Sequence, residues 1–138
     1  MRYLIKHVLL FLIGGILYWL MEILWRGRSH PVMMVIGGIC FLLCGLINEE
    51  IPWEMPLLEQ GLIGAFIVTS VELVSGFVCN ICLHMDLWDY SDMPLNLLGQ
   101  ICLPFFLLWI LVAIVAIMTD DLLRYWIFRE ERPHYRIL

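Results

Sequence analysis

The chain has 138 residues, of which 62% are hydrophobic and only 15% charged, whereas soluble domains average about 45–50% apolar and about 25% charged. That apolar content excludes disordered, collagen-like and disulfide-scaffold chains and leaves almost no room for a soluble enzyme, because eight basic and thirteen acidic side chains are too few to cover a small domain. A net charge of −5 with no Lys/Arg run excludes nucleic acid as a partner. The remaining class is an all-α integral membrane protein, multi-pass in the cell membrane with the lipid bilayer as its solvent.

Four apolar windows follow in chain order, at about residues 8–25, 32–47, 61–83 and 97–118. Each approaches the ~17–25 residues that a bilayer core requires. Backbone groups in hydrocarbon must be satisfied internally, so each window is expected to be a transmembrane helix. The first follows Arg2 and Lys6, as the apolar part of a secretory signal would. However, Trp19-Leu20-Met21-Glu22 offers a peptidase no small residues, so an uncleaved anchor is expected. Residues 119–138 read as a basic tail, and residues 1–138 as one four-span domain.

Four spans place both termini on one side. Arg2, Lys6, Arg124, Arg129, Arg132 and Arg136 lie with the termini, against Arg26 and Arg28 opposite, so the positive-inside rule puts the termini in the cytoplasm. Aromatic residues at window edges, such as Tyr18, Trp19 and Trp25 and then Tyr125 and Trp126, fit headgroup-level anchors. On this topology the polar residues of the spans gather in the outer half of the bilayer.

Glu72 is the sharpest of them. Gly64, Val68, Glu72, Gly76 and Asn80 repeat every four residues and so share one helix face. A carboxyl group at mid-membrane costs on the order of 2.5–3.5 kcal/mol, so it should face protein or water and be protonated or paired. It either handles a proton or cation, or it hydrogen-bonds neighbouring helices together. Glu22 precedes Arg26 by four residues, the favourable order for a helix ion pair, and could also share a site with Glu72. Asn96 and Gln100, again four apart, are expected to open span 4 and face Glu72 and Asn80, with Asp89 folding over them from an external loop at 86–94. Asn48-Glu49-Glu50 before Pro52 reads as a solvated turn ending span 2.

Cys79-x-x-Cys82 with His84 and Asp86 has the residue types of a zinc site, but a lone pair at a membrane edge reads as packing, and no metal or cofactor is expected. Phosphate-loop, nucleophile-elbow and H-E-x-x-H patterns are missing, and no residue is assigned a catalytic role.

The strings Glu22-Ile-Leu-Trp-Arg-Gly27, Gly37-Gly38, Leu46-Ile-Asn-Glu49 and Val71-Glu-Leu-Val-Ser-Gly76 with Asn80 lead to the most distinctive run, Trp88-Asp-Tyr-Ser91 followed by Pro94, Asn96 and Gly99-Gln100. Together, over about residues 22–109, they resemble the small bacterial putative ABC-transporter type IV (CmpB-like) membrane permease family. The resemblance implies a transport component and adds Trp88, Tyr90 and Ser91 to the candidate site. The only loop on the termini side before the tail, 48–60, is short and acidic and does not resemble a coupling helix, so an ATPase partner is not expected.

The residues thus point to a permease-like or channel-like protein. Glu72, Asn80, Asp89, Asn96 and Gln100 would line an outward-opening pocket, with Glu22 and Arg26 at its rim. Four helices enclose little space, so a homodimer or larger membrane complex is expected. Two other functions fit the same residues: a membrane-embedded enzyme acting on lipid-linked substrates, and a structural subunit.

Overall fold

The computed structural model describes residues 1–138 and contains only helices and connecting segments. Helix α1 spans Arg2–Arg26, α2 Val32–Gly45, the single turn α3 Ile47–Glu50, α4 Leu57–Gly76 and α5 Leu103–Phe128. A π-helical turn, Phe77–Cys82, prolongs α4. Counting α3 with α2 and the π turn with α4, four helical rods of 25, 19, 26 and 26 residues are long and apolar enough to cross a membrane.

The rods exceed the apolar windows where nothing stops them. No Gly or Pro interrupts residues 2–13, so α1 begins at Arg2 and its charged first turns extend beyond the apolar stretch. It ends at Gly27, which takes the left-handed conformation (φ 74°) and returns its N–H to the Ile23 carbonyl at 2.7 Å. Helix α5 departs more from expectation. It starts at Leu103, not near 97, because Pro104 has no N–H to donate and its ring would collide with the preceding turn. Proline is tolerated only in the first turn, and there the helix begins. Asn96 and Gln100 therefore lie on an irregular segment at 83–102, not on a helix face. At its other end α5 runs on to Phe128, so half of the expected tail is helical.

Helix α1 packs along α2, α4 along α5, and α2 bridges to both α4 and α5, while α1 and α5 barely meet. Close approach needs small residues. A Cβ on Gly37 would stand 2.6 Å from Cβ of Tyr18, and one on Gly64 would stand 2.6 Å from Cβ of Ala113. Cys44, Ile47, Ala113 and Ile117 fill the centre of the α2–α4–α5 contact. Leu87 and Trp88, from the irregular segment, pack on Met33 and cap one end of the bundle.

Three long-range contacts define the ends. Lys6 Nζ meets Glu130 Oε1 at 2.5 Å, and the Leu57 N–H donates to the Arg136 carbonyl at 2.6 Å, which gathers both termini at the end occupied by α3. At the opposite, loop end, Arg26 Nη1 donates to the Leu87 carbonyl at 3.0 Å.

Candidate functional site

Glu72 is 7% exposed and points inward from α4. Its Oε1 accepts from the Tyr90 hydroxyl at 2.8 Å and its Oε2 from the Trp109 indole N–H at 3.1 Å. Both donors are neutral, and no cation pairs with Glu72: the ion pairs of the chain belong to Lys6, Arg26, Arg124 and His134. Tyr90 is fixed from behind by stacking on Phe105 (ring centroids 4.6 Å apart) and by its own N–H, which donates to the Gly99 carbonyl at 2.7 Å. Burial and the adjoining Glu72 carboxylate push the Tyr90 phenol well above its usual range, so it stays protonated and able to donate.

Eight residues beyond Glu72, Asn80 is used fully. Its Nδ2 donates to Gln100 Oε1 at 2.8 Å and to the Trp88 carbonyl at 3.1 Å, and its Oδ1 accepts from the Leu87 N–H at 2.7 Å. The π turn makes this reach possible. A four-residue step overshoots on a 3.6-residue turn, and the wider i→i+5 turn takes the overshoot back, so Asn80 stays on the Glu72–Gly76 face. Gly76 leaves the space Gln100 needs, since a Cβ there would lie 2.5 Å from Gln100 Oε1. Trp88 completes the knot by donating its indole N–H to the Gln100 carbonyl at 3.0 Å.

The other candidates sit apart. Glu22 is buried, bonded to Arg26 and to Ser29 Oγ, the latter at 3.1 Å. Asp89 is exposed and turns to Ser91, accepting from its backbone N–H at 2.9 Å and from its hydroxyl; these bonds hold the Asp89 carboxyl below its usual range. Asn96 is exposed as well and ties its own loop, donating to the Ser91 and Met93 carbonyls and accepting from the Gly99 N–H. The structure thus brings together Asn80 with Gln100 and Trp88, and Glu72 with Tyr90. It does not bring Asp89, Ser91 or Asn96 to Glu72. Cys79 is half-buried and Cys82 exposed, both as free thiols, and no three His, Cys, Asp or Glu side chains converge to hold a metal.

The gap between α1 and α5 forms a cleft with Glu72 on its wall. Its deep part, about 140 Å³, is lined mostly by apolar side chains with Tyr18, Cys40 and Trp109 beside Glu72. A wider part of about 390 Å³ runs from Tyr18 and Trp109 towards Glu22, Arg26 and Trp88 at the loop end. Trp109, which no motif or spacing singles out in the sequence, is a direct partner of Glu72.

A second polar cluster, at the termini end, was not foreseen. Asp120 is 0% exposed and Arg124 2%. Arg124 Nε bonds Asp120 Oδ2 at 2.5 Å, and its Nη1 lies 3.4 Å from Glu49 and 3.8 Å from Glu130. Asp121 Oδ2 accepts from Asn48 at 2.7 Å and from Tyr135 at 2.8 Å. Asn48 is buried here, not placed on a solvated turn. The legible signal was Asp120 four residues before Arg124, the spacing of a helix ion pair.

Four apolar rods, a carboxylate between them and polar clusters at both ends define a multi-pass membrane protein. The chain matches the family described as "Putative ABC-transporter type IV" over residues 9–130 and belongs to that family of transport-related membrane proteins. No curated protein and no solved structure matches it.

Proposed function

We propose that the protein is a permease-like membrane component in which Glu72 takes up and releases a proton at the α1–α5 cleft. The observation that carries this reading is the pair of donors on Glu72. Trp109 can only donate, whereas a tyrosine hydroxyl donates or accepts. A proton arriving on Oε1 is therefore accommodated by rotation of the Tyr90 hydroxyl, with no heavy atom moved, while Trp109 keeps hold of Oε2. A carboxylate held by a fixed cation would lack this tolerance.

The walls of the cleft are largely apolar and offer no continuous polar route from end to end, which favours a gated site over an open channel. A second copy or a larger membrane subunit beside the cleft would enclose a pathway that four helices cannot. Asn80 and Gln100, with every bond spent on the 83–102 segment, act as positioning residues that hold Tyr90 over Glu72. The termini face the cytoplasm in this reading, by the arginine balance.

Infrared difference spectroscopy of the reconstituted protein during a pH titration tests it. A protonated-carboxyl band should grow on acidification and be missing from Glu72→Gln, and its midpoint should move in Tyr90→Phe. Identical difference spectra for wild type and Glu72→Gln, with both proteins folded, would remove the proton from the mechanism.

A further inference from the structure

The deep and wide parts of the cleft between α1 and α5 share Tyr18, Met21, Trp109 and Val112, so they form one continuous space. On α1 this space extends from Gly14 to Arg26, a stretch of about 18 Å at the rise of an α-helix. Gly14 lies near the middle of α1, and Ala116, which also lines the deep part, near the middle of α5, whereas Arg26 and Phe105 stand at the loop end. In a bilayer centred on the four rods, the cleft thus occupies a single leaflet, from headgroup level to midplane. We propose that it takes one acyl chain of a membrane lipid from that leaflet. The proposal rests on the reading of the cleft as the working site, and it names what the site handles: an amphiphile, in place of a hydrated ion or a polar solute.

Four observations carry it. The first is depth: one leaflet of a bilayer's hydrocarbon is about 15 Å deep, which the cleft matches. The second is the chemistry of the walls. A buried water needs about two to four polar partners, yet both Glu72 oxygens are already bonded, to Tyr90 and to the Trp109 N–H, and most of the remaining lining is apolar. Hydrocarbon fills such a space without losing hydrogen bonds, and water does not. The third is access. Helices α1 and α5 barely meet, so a chain can enter sideways from the bilayer without crossing either polar end. The fourth is the mouth. Arg26 is exposed there and spends one N–H on Glu22 and one on the Leu87 carbonyl. A guanidinium carries more donors than these two, so Arg26 keeps some for a lipid phosphate. Trp25 beside it, 78% exposed, is of the type that settles at headgroup level.

Photolabelling in nanodiscs tests the assignment. The full-length protein is reconstituted in dioleoylphosphatidylcholine doped with a phosphatidylcholine that carries a diazirine midway along one chain, irradiated, and mapped by tandem mass spectrometry. Adducts are expected on buried Glu72 and half-buried Cys40, besides those on the outward-facing Phe66 and Leu111. Val112→Trp, which fills the junction of the two parts, should lower the Glu72 and Cys40 adducts at least tenfold relative to those on Phe66 and Leu111. Leu108→Trp, at a side chain 40% exposed in the wide part, should act likewise and keeps the test open if Val112→Trp does not fold. Label on the outward faces alone, the pattern that a second copy seated over the seam would give, would overturn the proposal, as would internal adducts indifferent to both variants. The infrared titration of Glu72 is independent of this result. Adducts inside the cleft without a carboxyl band support the chain site and refute the proton reading alone, whereas a band without internal adducts refutes the chain site alone.

Discussion

Replacing Asn80 by alanine removes three hydrogen bonds at once and leaves the Leu87 N–H, the Trp88 carbonyl and Gln100 Oε1 without those partners. A net value of about 1 kcal/mol for each neutral bond gives a loss of about 3 kcal/mol, before any added cost of the stranded buried groups. For a chain of this length, a shift of about 4 °C per kcal/mol puts the fall in Tm at about 12 °C. The protein carries its own reporters. Cys44 and Cys102 are buried free thiols in the bundle core and at the end of the 83–102 segment. With Cys40, Cys79 and the exposed Cys82 replaced by serine, a thiol-reactive fluorogenic maleimide added during a thermal ramp reads their exposure directly. Gly76→Ala should lower Tm by a second route, because its new Cβ displaces Gln100 from Asn80. An Asn80→Ala protein melting within about 2 °C of wild type would show that the knot contributes under 1 kcal/mol and would refute its role in holding Tyr90.

Other outcomes follow from the same geometry. Arg124→Met should cost about 3–5 kcal/mol by leaving Asp120 charged and unpaired in a fully buried place, and adding Asp120→Asn should restore much of it; a thermal melt of the single variant equal to wild type would contradict the pairing. Tyr90 binds its proton more tightly when folded, so its contribution is full below the unfolded value of about 10 and is lost as pH rises above it. The alkaline fall in Tm should therefore be shallower in Tyr90→Phe, and an unchanged slope would count against the Tyr90–Glu72 bond. Ser91→Cys, placed in a background free of the five native cysteines, should react with an impermeant maleimide on intact cells; reaction only after permeabilisation would reverse the proposed orientation.

The first three rods were legible because long apolar stretches with at most one charged residue each admit only helix in a bilayer, and their edges are marked by Gly27, Pro31, Pro52 and Pro56. The fourth starts later than its apolarity suggests, because Pro104, with its missing N–H, fixes the helix start more firmly than any hydropathy. Asn80 was expected to face Gln100, and the two do meet, yet Gln100 reaches it from an irregular segment turned by left-handed residues at Leu95, Leu98 and Gly99. Four-residue spacing was informative on α4 and misleading at 96–100. The Asp120–Arg124 pair is hidden in the sequence because it lies beyond the apolar window, where charges ordinarily face solvent. On a helix that continues into the bundle the same charges are buried, and they find partners on α3 and the C-terminal segment.

Helix α1 leans on α2 along its length but is joined to the rest of the molecule at its two tips, by Lys6 to Glu130 at one and by Arg26 to the Leu87 carbonyl at the other. It behaves as a stave held by two clasps. Breaking either clasp would loosen α1 at that tip alone, because the other clasp and the α1–α2 packing hold the rest. Glu72 lies on the wall of the seam between α1 and α5, while α2 stays packed on α4 and α5.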